Sequence, residues 1–416
     1  MTAIPTIRRA RALALLLCGA LGVGRAAHAQ PAAPSAADVE ARAAARVADA
    51  VCDRRVVLLG ELPDHGHARG FGVKARIVQR LVSRCGFDAV LFEAGSYDFF
   101  GLERAIAAAP RDTGAARTDS LDLALARAIG GFWWTRELAP WRRWLLGEVV
   151  AGRVAVGGMD DQVNATAAYA SASLPALVAA GVPPGRSAEC RAAVTRYLGW
   201  SYDATARYDA AERARLAECT RLASERGGGA RRPDGRSPDA VMLADYASHF
   251  AREGGVPGAA DRDRVMAEHV AWWAARLPRD ARIVVWTATS HATRAADAQL
   301  ANALGGPPLG ARLAERWGGR LGVVGFTALR GDWSRAGAPS RPMPPVPADA
   351  LEPKALAGAT PGDTAAWAYL DRAALRALGP VPSRLFGRVV TTDWSAAFDG
   401  VVVLRDESAP TFVPRR

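Results

Sequence analysis

The sequence predicts an α/β fold: a mainly parallel central sheet flanked by helices, with a helical insertion as a cap. Three observations predict it. Four apolar runs of strand length stop at polar or titratable residues: 56–59 at Gly60-Glu61, 88–92 at Glu93, 153–159 at Asp160, and 282–286 shortly before His291. Unbroken apolar runs are what strands buried on both faces require. Helical periodicity separates the runs, the pattern of parallel strands joined by crossover helices. The stretch from about 162 to 258 is Ala-rich and helical, with breaks at Val182-Pro183-Pro184-Gly185 and from Gly227 to Pro233.

Residues 1–29 read as an export signal. Arg8, Arg9 and Arg11 form a basic start, 12–17 is apolar, and Ala27-His28-Ala29 fits cleavage before Gln30. The apolar run falls short of the roughly 20 residues a membrane span needs, and no later segment has that length and apolarity. The mature chain, 30–416, is therefore expected in the periplasm or secreted, with no membrane span after signal removal. A Pro/Ala linker covers 31–35. Periodicity then predicts a helix over about 37–50, the strand ending at Glu61, and a helix over about 71–84. The strand ending at Glu93 follows. Helices are expected over 100–109, 120–129 and 136–150, then the strand ending at Asp160 and the insertion. A helix over 261–277 precedes the strand at Ile283. Another strand covers 320–329, and 335–347 is a Pro-rich irregular loop. Late strands at 388–391 and 401–404 complete the sheet.

Half of the 416 residues are hydrophobic, so a large core is easily built. The formal charge is +11, with Lys74 and Lys354 the only lysines. The arginines are scattered and sit near acids, as in Arg262-Asp263-Arg264. No dense basic stripe interleaves with aromatics, which argues against nucleic acid as a partner. Cys52, Cys85, Cys190 and Cys219 follow the signal, and an even count in an exported chain suggests two disulfides. Cys52 and Cys85 precede their strand-end acids by nearly equal distances. If those strands are parallel neighbours, about 5 Å apart, a bridge is within reach. Cys190 and Cys219 would close a helical hairpin.

The loop Glu61-Leu62-Pro63-Asp64-His65-Gly66-His67 is the strongest chemical signal. A loop imidazole can take a proton at neutral pH, and a nearby carboxylate can orient it, so His65 is the candidate general base. His67 is the weaker of the two, more in keeping with a solvated loop. Glu93 ends an apolar strand, where a carboxylate is costly without a partner or a role; Lys74, Arg76 and His65 are candidate partners. His291 lies just past a strand. Asp263 and His269 sit roughly two turns apart on one helix, so the pair can share one face. Trp133, Trp134, Trp141 and Trp144 are core candidates that could also wall an apolar pocket. There is no G-x-S-x-G and no H-E-x-x-H, so serine-hydrolase and zincin readings lack a motif.

Together, these segments resemble the erythromycin esterase family. The matching residues are Gly60-Glu61, His65-Gly66, Lys74, Phe92-Glu93, the run from Arg262 through Asp263, Met266 and Ala267 to His269, and Trp286 to His291. Gly310 to Leu313, Gly322 to Phe326, and Phe398-Asp399 with Val402 complete the order, over about 50 to 406. The resemblance implies metal-independent hydrolysis of a carboxylic ester, macrolactones included. The loop His activates water and the strand-end Glu supports it. In this chain the catalytic set is then His65, Glu93, Glu61, His291 and Lys74, the last two stabilising an oxyanion. Asp160, Arg262, Asp263, His269 and Trp134 form the substrate-binding set. A small-molecule ester is the expected partner, with no cofactor and no metal. The chain departs from the family pattern where Ala288 and Thr289 replace a His and an Asn, where His269 replaces a helical Asn, and in a spacer one residue longer before His65. Two other readings stay open: a metal-dependent hydrolase with Glu61, His65, Glu93 and His291 binding Zn or Mn, and a non-catalytic binding protein with a relict site, which Ala288 would suit.

Overall fold

The computed structural model describes residues 36–108, 115–163, 168–200, 208–226, 237–294, 300, 304–358 and 367–414; the export signal and linker lie outside them. Helix α1 (Ala36–Val51) leads into β1 (Val56–Glu61), α2 (Ala68–Cys85), β2 (Ala89–Gly95) and three helices, α3 (Ser96–Ala108), α4 (Ala115–Ile129) and α5 (Ala139–Val150). After β3 (Ala155–Asp160) come four helices of the insertion: α6 (Ala168–Gly181), α7 (Ser187–Trp200), α8 (Ala210–Arg226) and α9 (Pro238–Glu253). The chain returns through α10 (Arg262–Arg276), β4 (Ile283–Ala288), the short α11 (Thr289–Ala292) and β5 (Leu321–Trp333). The remaining strands are β6 (Arg341–Pro342), β7 (Trp367–Asp371), β8 (Val381–Ser383), β9 (Val390–Thr392) and β10 (Gly400–Glu407).

The main sheet runs β3-β2-β4-β1-β5-β10-β7, with β6 paired to the end of β5. All neighbours are parallel except β7 against β10 and β6 against β5. The unbroken apolar runs have the physical cause read from them. Val57, Leu59, Val90, Phe92, Val284 and Trp286 face a core shared with α1, α2, α4 and α5. Val56, Leu58, Leu91, Ile283 and Val285 face a second core shared with α10 and the insertion. Both faces are covered, so neither side of these strands carries polar residues until the strand ends.

The expected late strand at 388–391 does not complete the sheet. It forms β9, paired with β8 in a separate two-stranded sheet. The antiparallel edge is β7, whose short Trp367–Asp371 run alternates too weakly to stand out in sequence. Both disulfides form: Cys52–Cys85 and Cys190–Cys219, the second joining α7 to α8. The reason expected for the first is corrected, because β4 lies between β1 and β2. The two cysteines meet at the ends of α1 and α2, with Cα atoms 5.3 Å apart. Arg282, at the entry to β4, donates to both of their carbonyls at 2.8 Å. Closing a loop of 33 residues stabilises the fold by about 3–4 kcal/mol in the chain-entropy account.

Candidate active site

Four strand ends meet at the carboxyl edge of the sheet, where α/β folds place their ligands. Glu61 ends β1 and is fully buried. Its Oε1 accepts from His65 Nδ1 at 2.7 Å and from the indole N–H of Trp133 at 2.6 Å. Its Oε2 accepts from Lys74 Nζ, on α2, at 2.8 Å. Burial alone would raise the Glu61 pKa, but Lys74 and His65 together hold it below the usual value. Lys74 is buried too. It also donates to the Thr287 carbonyl at 3.0 Å and lies 4.4 Å from the centre of the Trp286 ring. Burial outweighs Glu61 there and brings the ammonium down to about 8.

His65 sits on a bent loop. Asp64 has φ of 82° and His65 φ of 51°, both left-handed and costly for residues with a Cβ. Gly66 follows, pressed so closely on the Ser334 carbonyl that any Cβ would collide. Arg335 pairs with Asp64 and helps hold the bend. The loop therefore delivers His65 with Nδ1 on Glu61 and Nε2 facing Glu93 Oε1 at 3.7 Å, an ion-pair distance too long for a direct hydrogen bond. The ring stays 12% exposed, against Trp133 and Phe132 with ring centres 5.0 and 4.9 Å away. Burial would lower its pKa; the Glu93 charge and the Glu61 hydrogen bond overcome that and hold it at about 9.

Glu93 is the hub. Oε2 accepts from the Thr287 hydroxyl at 2.8 Å and the Ala288 N–H at 2.9 Å. Oε1 lies 3.0 Å from Arg262 and 3.3 Å from His291 Nε2. Burial pulls its pKa up, but the charges of His291 and His65 press it well below the carboxylate range. Arg262 opens α10 and grips Asp160, at the end of β3, at 2.5 Å. Asp160 is held low by Arg262 against the effect of burial. His291 bonds Asp263 through Nδ1 at 2.8 Å. Burial lowers its pKa, yet Glu93 and Asp263 raise it to about 10. Among the described residues, no three His, Cys, Asp or Glu side chains are arranged to hold a metal ion. The carboxylate oxygens are already taken by Lys74, Trp133, Arg262 and the β4 end.

The structure thus gathers Glu61, His65, Glu93, Asp160, Arg262, Asp263 and His291 at one place. Four residues sit otherwise than expected. Lys74 lies behind Glu61, fully buried, with its ammonium on the Glu61 carboxylate and the Thr287 carbonyl. His269 bonds Asp245 of α9 at 2.6 Å, and Asp245 takes the Ser96 hydroxyl at 2.8 Å. Six residues along a helix turn through about 240°, so Asp263 reaches His291 while His269 turns under the cap. Trp134 is half-buried, and its carbonyl accepts from the Val413 N–H; Trp133 is the one that reaches Glu61. Two adjacent tryptophans look alike in sequence, and only the path of the loop between α4 and α5 separates them. His67 is buried, not solvated, and burial lowers its pKa to about 3. Glu407 was not singled out in the sequence. It ends β10 and accepts from the N–H groups of Arg69 and Gly70 at 2.7 and 3.0 Å, which fixes the start of α2. An acid ending the last apolar strand was the available signal.

A sequence model of the family described as Erythromycin esterase matches residues 82–407. Comparison with curated protein sequences finds no match. Among solved structures, a mutant of the erythromycin esterase EreC in its open conformation is similar at 17% identity and a TM-score of 0.60, over 89% of this chain and 95% of that one. A Bacillus cereus protein is similar at 16% identity and a TM-score of 0.60, over 90% and 94%. A succinoglycan biosynthesis protein is similar at 15% identity and a TM-score of 0.60, over 88% and 91%. At these identities the structures speak for the fold alone. The family match spans most of the chain, including three of the strand ends that build the site: this protein belongs to the erythromycin esterase family.

Proposed function

We propose that the protein is an exported hydrolase that cleaves a carboxylic ester with water activated by His65. One observation carries this reading: the His65 ring is fixed through Nδ1 on Glu61, while Nε2 is turned toward Glu93 at 3.7 Å, without a direct hydrogen bond. A water between Nε2 and the carbonyl carbon gives its proton to Nε2 and its oxygen to the carbon. The tetrahedral oxyanion is met by the cations of Arg262 and His291, and its collapse expels the alcohol oxygen, which takes the proton back from Nε2. Glu93 keeps both cations in place. A loss of one family histidine at Ala288 leaves the contact made there by the backbone N–H.

The titrations set the pH dependence. His65 must be neutral to act as base, with a pKa of about 9, and His291 must stay charged, with a pKa of about 10. Log kcat/KM is expected to rise with unit slope from pH 7 to about 9 and to fall above about 10. Initial rates on a panel of aryl esters, alkyl esters and lactones across pH 6 to 11 measure it. No turnover anywhere in the panel sinks the ester reading, and a limb with a midpoint near 6.5 sinks the assigned environment of His65.

Export is supported by the two disulfides, which persist in oxidising compartments. N-terminal sequencing of exported material is expected to begin at Gln30; an intact Met1 in that material argues against a cleaved signal.

A further inference from the structure

The polar groups around Glu61 divide its two oxygens unequally. Among the described residues, Oε2 is held by Lys74 alone. Oε1 carries two donors, His65 Nδ1 and the Trp133 indole N–H. Trp133 is 1% exposed and comes from a different segment from either partner, the loop between α4 and α5. Its ring also meets the edge of the His65 ring at 5.0 Å. A single donor on each oxygen still lets the carboxylate plane turn about its Cγ–Cδ bond; the indole N–H, a second donor on Oε1 from a third direction, fixes that plane. Without Trp133, the Lys74 ammonium pulls Glu61 toward α2, and the His65 bond is the one left to stretch.

We propose that Trp133 is a positioning residue: its indole N–H locks the Glu61 carboxylate in the rotamer that holds His65 Nδ1 and aims Nε2 toward Glu93. This rests on the reading of His65 as base. The neighbouring Trp141 supplies the contrast. It belongs to the same aromatic cluster, 4.8 Å from Trp286 between ring centres, but its indole nitrogen has no hydrogen-bond partner among the described residues. The cluster needs both rings for packing, yet only one N–H is used.

The test is a double-mutant cycle with an NMR readout. Trp133→Phe keeps an aromatic ring and removes the donor. Its kcat is expected to fall about tenfold or more with KM little changed, the rate equivalent of one hydrogen bond to a charged group. Trp141→Phe is expected to leave kcat unchanged, even if Tm falls. In a Glu61→Gln background, the further loss from Trp133→Phe is expected to shrink to less than about threefold, because the two residues act as one unit. A loss of equal size in both backgrounds overturns the proposal. The second readout needs no substrate: in histidine-labelled protein, the hydrogen-bonded Nδ1–H proton of His65 is expected to be visible in the parent and lost to exchange in Trp133→Phe. An Nδ1–H signal that persists unchanged overturns the positioning role, whatever kcat does. If no ester is turned over but the signal is lost in Trp133→Phe, the positioning role stands and the ester reading falls.

Discussion

Replacing His65 with Asn is expected to lower kcat/KM for ester hydrolysis by about 100-fold to 10,000-fold, the contribution of a positioned general base. Asn is a fair probe because it tolerates the left-handed backbone that His65 adopts, with φ of 51°. The loop bend, the Gly66 contact with Ser334 and the Asp64–Arg335 pair stay as they are. Stability follows the proton. The His65 pKa is raised from 6.5 to about 9 in the folded protein, so its stabilising contribution is complete below 6.5 and lost as pH rises through about 9. Tm of the variant is therefore expected to lie below that of the parent at pH 6 and to converge with it near pH 10. Activity and thermal melts at both pH values check this. A rate loss under tenfold removes His65 from the role of base. A Tm gap that widens with pH contradicts its charged environment.

Replacing Glu93 with Gln is expected to impair both catalysis and folding. Among the described residues, Glu93 is the one anion that faces His65, His291 and Arg262 together. Removing one partner from a buried charge cluster costs about 3–5 kcal/mol. The lower end applies here, since Arg262 keeps Asp160 and His291 keeps Asp263. The amide also presents hydrogens to donors, either the Thr287 hydroxyl and Ala288 N–H or Arg262, so one contact set is lost. With the anion gone, the pKa values of His65 and His291 both move down, because its charge is the main influence raising each against burial. The alkaline limb of any residual activity is expected to shift to lower pH. Urea unfolding gives the stability, and the pH profile gives the limb. An unchanged midpoint of unfolding together with an unshifted limb contradicts the hub role.

Much of the fold was legible because the strongest sequence signal, an apolar run ending at a charge, has one cheap physical solution. A strand covered on both faces must be apolar along its length and can turn polar only where it leaves the sheet. Val56 to Leu59 before Glu61, and Ala89 to Phe92 before Glu93, are that signal. The same logic located Asp160 and His291. It failed for short elements: β9 and β7 are too brief and too exposed to carry a pattern, so the placement of one and the presence of the other came from packing. The Cys52–Cys85 bridge was read from chain spacing, but the spacing argument assumed adjacent strands. In the fold, α1 and α2 bring the cysteines together and β4 runs between β1 and β2.

By itself the sequence determined the α/β class, the parallel strands, the helical insertion, the disulfide pairs and the roster of charged residues at strand ends. These follow from local composition and from distances along the chain. Tertiary structure alone decided which of those charges meet. It put Lys74 behind Glu61, turned His269 toward Asp245, chose Trp133 over Trp134, and paired Arg262 with Asp160 and Glu93 across gaps of 102 and 169 residues. The physical reason is that a buried charge takes whatever partner three-dimensional packing delivers, and its pKa is set by that partner and by desolvation. Neither is a property of neighbouring residues in the chain.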